Sequence, residues 1–151
     1  MKRVNEYKKL FNVTPETTLR DLKSNYRNMM KDWHPDKFLA NDEKAEEAEI
    51  MSRKIIDAYH FLVSIAPETR QANLEEYQIT TSETRIVEYK HKGLLLEISF
   101  SDGTTYEYFG VNERLFTKMH NAEKQFRFAK RNIFNSFLYR KSKKDLELAT
   151  A

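Results

Sequence analysis

The chain has 151 residues, 26 Lys+Arg against 23 Asp+Glu for a net charge of +3, and no cysteine. Without cysteine it can form no disulfide scaffold, thiolate zinc site, iron–sulfur cluster or thiol nucleophile. With 32% charged and 40% apolar residues and no long apolar run, the sequence predicts neither a membrane span nor a secretory leader, and points to a reducing, cytoplasmic compartment. The length suits one domain, or two of ~70 residues each. Pro15, Pro35 and Pro67 all lie in the first half, whereas Gly93, Gly103 and Gly110 lie close together in the second. A glycine-free stretch suits helices, and a glycine-punctuated one suits tight strand turns. Charge splits as well: residues 1–78 hold 13 basic and 14 acidic residues, and 79–151 hold 13 and 9. These shifts place a domain boundary in the polar stretch Gln78–Glu83, giving domains over 1–78 and 79–144 and a frayed tail over 145–151.

The first half reads as all-α. A short helix runs from Val4 to Phe11, with Tyr7, Leu10 and Phe11 as its apolar stripe. The second covers about Thr17 to Trp33. Thr18 and Asp21 have capping-box spacing, and Leu19, Leu22, Tyr26, Met29, Met30 and Trp33 recur at helical steps. His34-Pro35 ends it, because a residue before proline is pushed out of the helical region. Asn41 is a good cap for a third helix, whose acidic first turns favour the positive end of the dipole. Ile55, Ala58, Tyr59 and Leu62 point inward from it, and it ends near Ile65. A polar helical stretch, Pro67 to Tyr77, leads to the boundary.

The second half changes period to α+β. Arg85–Lys90, Leu94–Phe100 and Thr104–Phe109 have strand length and composition, with turns at His91–Gly93 and Ser101–Gly103. They form a three-stranded antiparallel meander. Leu94, Leu96, Ile98 and Phe100 alternate with Leu95, Glu97 and Ser99, so one face is buried. Two helices follow, Asn112–Asn121 and Glu123–Leu138. Leu115, Phe116, Met119, Phe126, Ile133, Phe134 and Phe137 cover the sheet.

The helix–loop–helix around His34-Pro35-Asp36-Lys37 carries the sharpest signal. Together with Tyr7, Leu10-Phe11-Asn12-Val13, Leu22-Lys23, Tyr26-Arg27, Met29, Ile55, Ala58-Tyr59 and Leu62, it resembles the J-domain of DnaJ-type co-chaperones over about residues 4–70. That resemblance implies a protein that docks on a DnaK-type heat-shock chaperone and stimulates its ATPase. It implies contacts through His34, Pro35 and Asp36, supported by Lys23, Tyr26, Arg27 and Lys37. The residues themselves suit docking. Pro35 stiffens the loop, which reduces the entropy lost on contact. Asp36 offers a carboxylate and His34 a ring donor. Lys23, Arg27 and Lys31 recur every four residues as one basic stripe, which speeds encounter with an acidic partner. Outside this pattern, a His-Pro-Asp is an ordinary turn and a basic stripe an ordinary solvated face. Ser52 stands where the family often has an aromatic, Asn28 where a second basic residue is common, and Arg70-Gln-Ala-Asn73 where Arg-x-x-Tyr is common. Catalysis is not expected: His34 and Asp36 flank a proline, and no nucleophile motif accompanies them. His60, His91 and His120 lack metal-ligand spacing with a third partner, and no cofactor is implied.

Residues 82–140 resemble the KTSC domain, a module found at the C-terminus of some lysyl-tRNA synthetases and as a free bacterial domain. The carriers are Leu94–Gly103, Tyr106-Glu-Tyr108, Gly110-Val111, Phe128 and Ile133. RNA binding is the usual suggestion for that family. Charge gives an independent reason: from Lys118 to Lys144 there are nine basic residues and one acid, Glu123. Lys124, Arg127, Lys130 and Arg131 share a helix face suited to phosphates, and Tyr106 and Tyr108 share a strand face suited to stacking bases. The plainer reading has both tyrosines packed on the helices and the charges solvated. The expected protein is therefore a cytoplasmic co-chaperone adaptor whose second domain targets a client, RNA or a ribonucleoprotein, with no membrane partner. The competing reading is an RNA-binding protein in which the J-domain is mainly a scaffold.

Overall fold

The computed structural model describes residues 2–38 and 43–142. Asn41, expected to cap the third helix, lies outside them, as do Lys143, Lys144 and the expected tail from 145. The chain divides into two units, Lys2–Thr69 and the residues from Arg70 onward.

The N-terminal unit is all-α. Helix α1 (Lys2–Leu10) buries Val4, and the chain leaves it through Asn12 at φ 52°. Asparagine tolerates that left-handed conformation, and the Val13 N–H closes back onto the Lys8 carbonyl at 2.9 Å, a common way to satisfy the last carbonyls of a helix. Helix α2 (Leu19–Trp33) opens on a complete capping box, with the Asp21 N–H on Thr18 Oγ1 at 3.1 Å and the Thr18 N–H on Asp21 Oδ2 at 3.0 Å. Its next free amide, Leu19, donates to Glu68 Oε1 at 2.8 Å. Helix α3 (Glu43–Ile65) packs along α2. Its inward side chains are Ser52, Ile55, Ala58, Phe61, Leu62 and Ile65. Ser52 needs no partner from another helix, because its hydroxyl bonds back to the Glu49 carbonyl at 3.0 Å. Tyr59 stays half-buried, stacked on Tyr26 at 4.4 Å. A short helix, α4 (Pro67–Ala72), follows.

The C-terminal unit is a four-stranded antiparallel sheet in the order β1-β2-β3-β4, with β1 (Ile86–Lys92), β2 (Leu95–Phe100), β3 (Thr105–Phe109) and β4 (Leu138–Lys141). Gly93 at φ 61° and Gly103 at φ 90° make the two tight turns, conformations that a Cβ disfavours. Leu96, Ile98, Phe100, Tyr106, Tyr108 and Tyr139 build the inner face, covered by Tyr77, Met119, Ala129, Ile133 and Phe134. These come from α5 (Leu74–Glu83), α6 (Glu113–Asn121), α7 (Gln125–Asn132) and the loop after α7. Leu94, expected on the inner face, is instead 43% exposed. It lies in the turn, where its carbonyl takes the Gly110 and Val111 amides at 2.9 and 3.0 Å.

One expectation is corrected. The last helix does not run to Leu138. It ends at Asn132, a turn through Asn135 and Ser136 follows, and Leu138–Lys141 pair with β3 as Phe109↔Leu138 and Tyr108↔Tyr139. The helical spacing of Phe126, Ile133 and Phe137 conceals this break, whereas Tyr139 completes a strand that satisfies the outer edge of β3. The two compact units divide at Arg70. Helix α5 belongs to the sheet: Tyr77 and Thr80 are 1% exposed within it. Among the described residues no helix is long and apolar enough to cross a membrane.

Candidate functional site

At the end of α2 the backbone turns out of the helix at His34 (φ −61°, ψ 130°), as a residue before proline must. Pro35, Asp36 and Lys37 then make one turn of 3-10 helix. Histidine takes the capping role here: its Nδ1 accepts the Asp36 N–H at 3.2 Å. An accepting Nδ1 carries no proton, so the neutral ring holds its hydrogen on Nε2. The Asp36 carboxylate lies 3.5 Å from that Nδ1 and remains 91% exposed, with the His34 side chain 50% exposed. The tripeptide is thus a rigid corner: proline fixes one dihedral, the imidazole ties the next amide, and the carboxylate stays open to a partner.

Beside this corner lies a shallow groove. Tyr26, Arg27, Met30 and Lys31 of α2 line it together with His34, Lys37 and Ile56 of α3. The helix therefore presents two lanes, one of Tyr26 and Met30 and the other of Arg27 and Lys31. Lys23 is exposed one turn earlier on the same basic stripe, and Pro35 and Asp36 are exposed at its end. Every expected docking residue except half-buried Tyr26 is exposed. Tyr26 is held in place by its stack on Tyr59.

On the C-terminal unit, Lys124, Arg127, Lys130 and Arg131 are all exposed on or at the start of α7. The tyrosines expected to stack bases are not available. Tyr106 is 2% and Tyr108 0% exposed. The Tyr77 hydroxyl donates to the Phe134 carbonyl at 2.6 Å. Its single proton is then committed, so the Tyr108 hydroxyl 2.9 Å away donates to it. Burial pushes the Tyr108 hydroxyl well above its ordinary pKa, with Tyr77 beside it acting in the same direction. These rings are core, and the patch is left with its cations alone.

Comparison with protein families decides what the two units are. Residues 6–72 match the DnaJ domain model and residues 80–137 match the KTSC domain model. The chain carries a DnaJ domain followed by a KTSC domain. A search of curated proteins finds no match. The His34-Pro35-Asp36 corner and the groove both lie inside the J-domain span, and such a domain supports a co-chaperone role in general, with a DnaK-type partner. The KTSC span begins within α5 and stops before β4, so Tyr77 and the fourth strand lie outside it although both complete its core. Sequence reasoning missed Met30 and Ile56 as surface residues. Met30 sits in an apolar repeat that reads as core, and Ile56 follows buried Ile55. The packing of α3 against α2 brings the two half-buried side chains into one groove. Among the described residues no group of His, Asp and Glu side chains is arranged to hold a metal ion.

Proposed function

We propose that the chain is a co-chaperone adaptor: the J-domain docks on a DnaK-type chaperone and stimulates its ATPase, and the KTSC domain carries the client side. The observation that supports this best is the corner at His34, where the ring fixes the turn and leaves the Asp36 carboxylate exposed, and where His34 itself lines a groove with Arg27, Lys31 and Lys37. A fixed carboxylate can take a charge-assisted hydrogen bond from an arginine of the partner with little ordering cost, while the basic stripe speeds encounter. The chain hydrolyses nothing itself; the ATP chemistry belongs to the chaperone, in the cytoplasm. The test is single-turnover ATP hydrolysis by the cognate DnaK-type chaperone. Wild type accelerates it, and His34→Gln, which lacks the ring that ties the turn, loses most of that effect while keeping its fold. Equal stimulation by the variant, or none by wild type, rejects the reading.

The four exposed cations at the start of and along α7 favour a polyanionic client such as RNA, held by its phosphates rather than its bases. The burial of Tyr106 and Tyr108 removes the stacking surface. Titration of a labelled RNA strand at several salt concentrations tests this. Affinity falls steeply with salt, similarly for unrelated sequences, and the slope becomes shallower by about two in Lys130→Ala/Arg131→Ala. Binding indifferent to those substitutions would remove α7 from the client surface, and with it the competing reading in which RNA binding is the main function.

A further inference from the structure

With Tyr106 and Tyr108 buried, a stacking surface on the C-terminal unit has to come from other rings. A second aromatic group stands at the start of α7. It consists of Tyr89 and His91 of β1 with Phe116 and His120 of α6. His91 stacks on Phe116 with centroids 4.5 Å apart, and Tyr89 meets Phe116 and His120 edge-on at 5.8 and 5.9 Å. His120 is exposed and the other three rings are half-buried. Hydrogen bonds hold the group in place. Gln125, the first residue of α7, donates from Nε2 to the Tyr89 hydroxyl oxygen at 3.0 Å and to the His120 carbonyl at 3.2 Å. The Tyr89 hydroxyl and His120 Nδ1 share a hydrogen bond of 2.7 Å. His91 Nε2 donates to the Val111 carbonyl, also at 2.7 Å. Rings tied in this way lose little freedom on contact. The charge around them suits an anion. From Lys118 to Arg131 there are five Lys and Arg residues and one acid, Glu123, and Lys124 directly precedes Gln125.

We infer that this ring group stacks an unpaired base of the RNA whose phosphates α7 holds, so that the KTSC domain selects single-stranded over duplex RNA. The inference rests on the RNA reading of α7 and adds a base contact to it. Cations alone give no such preference, because a duplex carries more phosphate charge per unit length than a single strand. A ring does, because a base offers its face only when it is unstacked. Stacking tolerates any base, which agrees with similar affinity for unrelated sequences.

The discriminating variant is His120→Ala, which removes the exposed ring and leaves every lysine and arginine in place. Its affinity for labelled single-stranded oligouridylate is expected to fall about 10-fold. Its affinity for the same strand paired with oligoadenylate stays at the wild-type value. The salt slope of the single-strand titration is also unchanged, whereas Lys130→Ala/Arg131→Ala lowers it. His120→Phe restores a ring without a charge or a hydrogen bond and recovers most of the loss. A second readout needs no variant: in wild type the ring-proton NMR signals of Tyr89, Phe116 and His120 move on addition of oligouridylate and stay in place with inorganic polyphosphate. Circular dichroism establishes folding of the variants. The inference is overturned if folded His120→Ala binds oligouridylate like wild type, if it weakens on single strand and duplex alike, or if polyphosphate moves the ring signals as far. In those cases a slope lowered by Lys130→Ala/Arg131→Ala leaves the phosphate reading of α7 standing, whereas no RNA binding by wild type removes both.

Discussion

His34 and Asp102 show how single side chains hold the turns that matter. His34 caps the 3-10 turn that it opens, a task more often given to serine or aspartate. Asp102 does the equivalent in the β2–β3 hairpin. Its carboxylate takes the Thr104 N–H at 3.0 Å, the Thr104 hydroxyl at 2.6 Å and the Thr80 hydroxyl of α5 at 2.7 Å. Partial burial pushes its pKa up, but these hydrogen bonds to the charged form outweigh burial and hold it below the ordinary 3.8. A carboxyl depressed in this way contributes stability that is complete above that ordinary value and is lost as pH falls through the lower, folded one. Asp102→Asn imitates the protonated group. The gap in thermal midpoint between wild type and Asp102→Asn is therefore expected to be widest near neutrality and to close below pH 3.8. A gap that persists unchanged into strong acid would contradict this. Asp-Gly marks the turn in the sequence, but the tie to Thr80, 22 residues away, does not appear in any local pattern.

Helix α5 and strand β4 carry the equivalent lesson for elements. Gln78–Glu83 looks like a linker by composition, yet α5 docks on the sheet through Tyr77. The Tyr77 ring stacks on Tyr139 with centroids 3.8 Å apart, and its hydroxyl joins Tyr108 to the Phe134 carbonyl. Tyr77→Phe keeps the ring but leaves two buried groups without their partner, at a cost of about 1–3 kcal/mol in denaturant unfolding. Burial raises the Tyr77 pKa above the ordinary 10.0, so an unfolded chain releases this proton before the folded one does. Stability is thus full below pH 10 and declines as pH rises beyond it. Tyr77→Phe is expected to show a flatter alkaline decline, and an unchanged slope would show that other tyrosines set it. Three of the four strands were readable from alternation and turn residues. The fourth was not, because four residues are too short to display a period and the pairing that makes Leu138–Lys141 a strand is with residues some thirty positions earlier.

For the whole molecule, the position of the boundary is the testable quantity. A fragment starting at Arg70 retains α5 and is expected to fold cooperatively. One starting at residue 79 lacks Tyr77 and is expected to show a weak or absent thermal transition. Equal cooperativity of the two fragments would return the boundary to the polar stretch. The sequence by itself determined the two-domain plan, the helical and strand halves, the capped second helix and the His34-Pro35-Asp36 corner, because each rests on contacts between residues a few positions apart. Tertiary structure alone decided which apolar residues become surface and which aromatic ones become core. Met30 and Ile56 reached a groove, while Tyr106 and Tyr108 went inside. Helical or strand periodicity specifies the face on which a residue lies, but exposure depends on what packs against that face, and those partners come from distant parts of the chain.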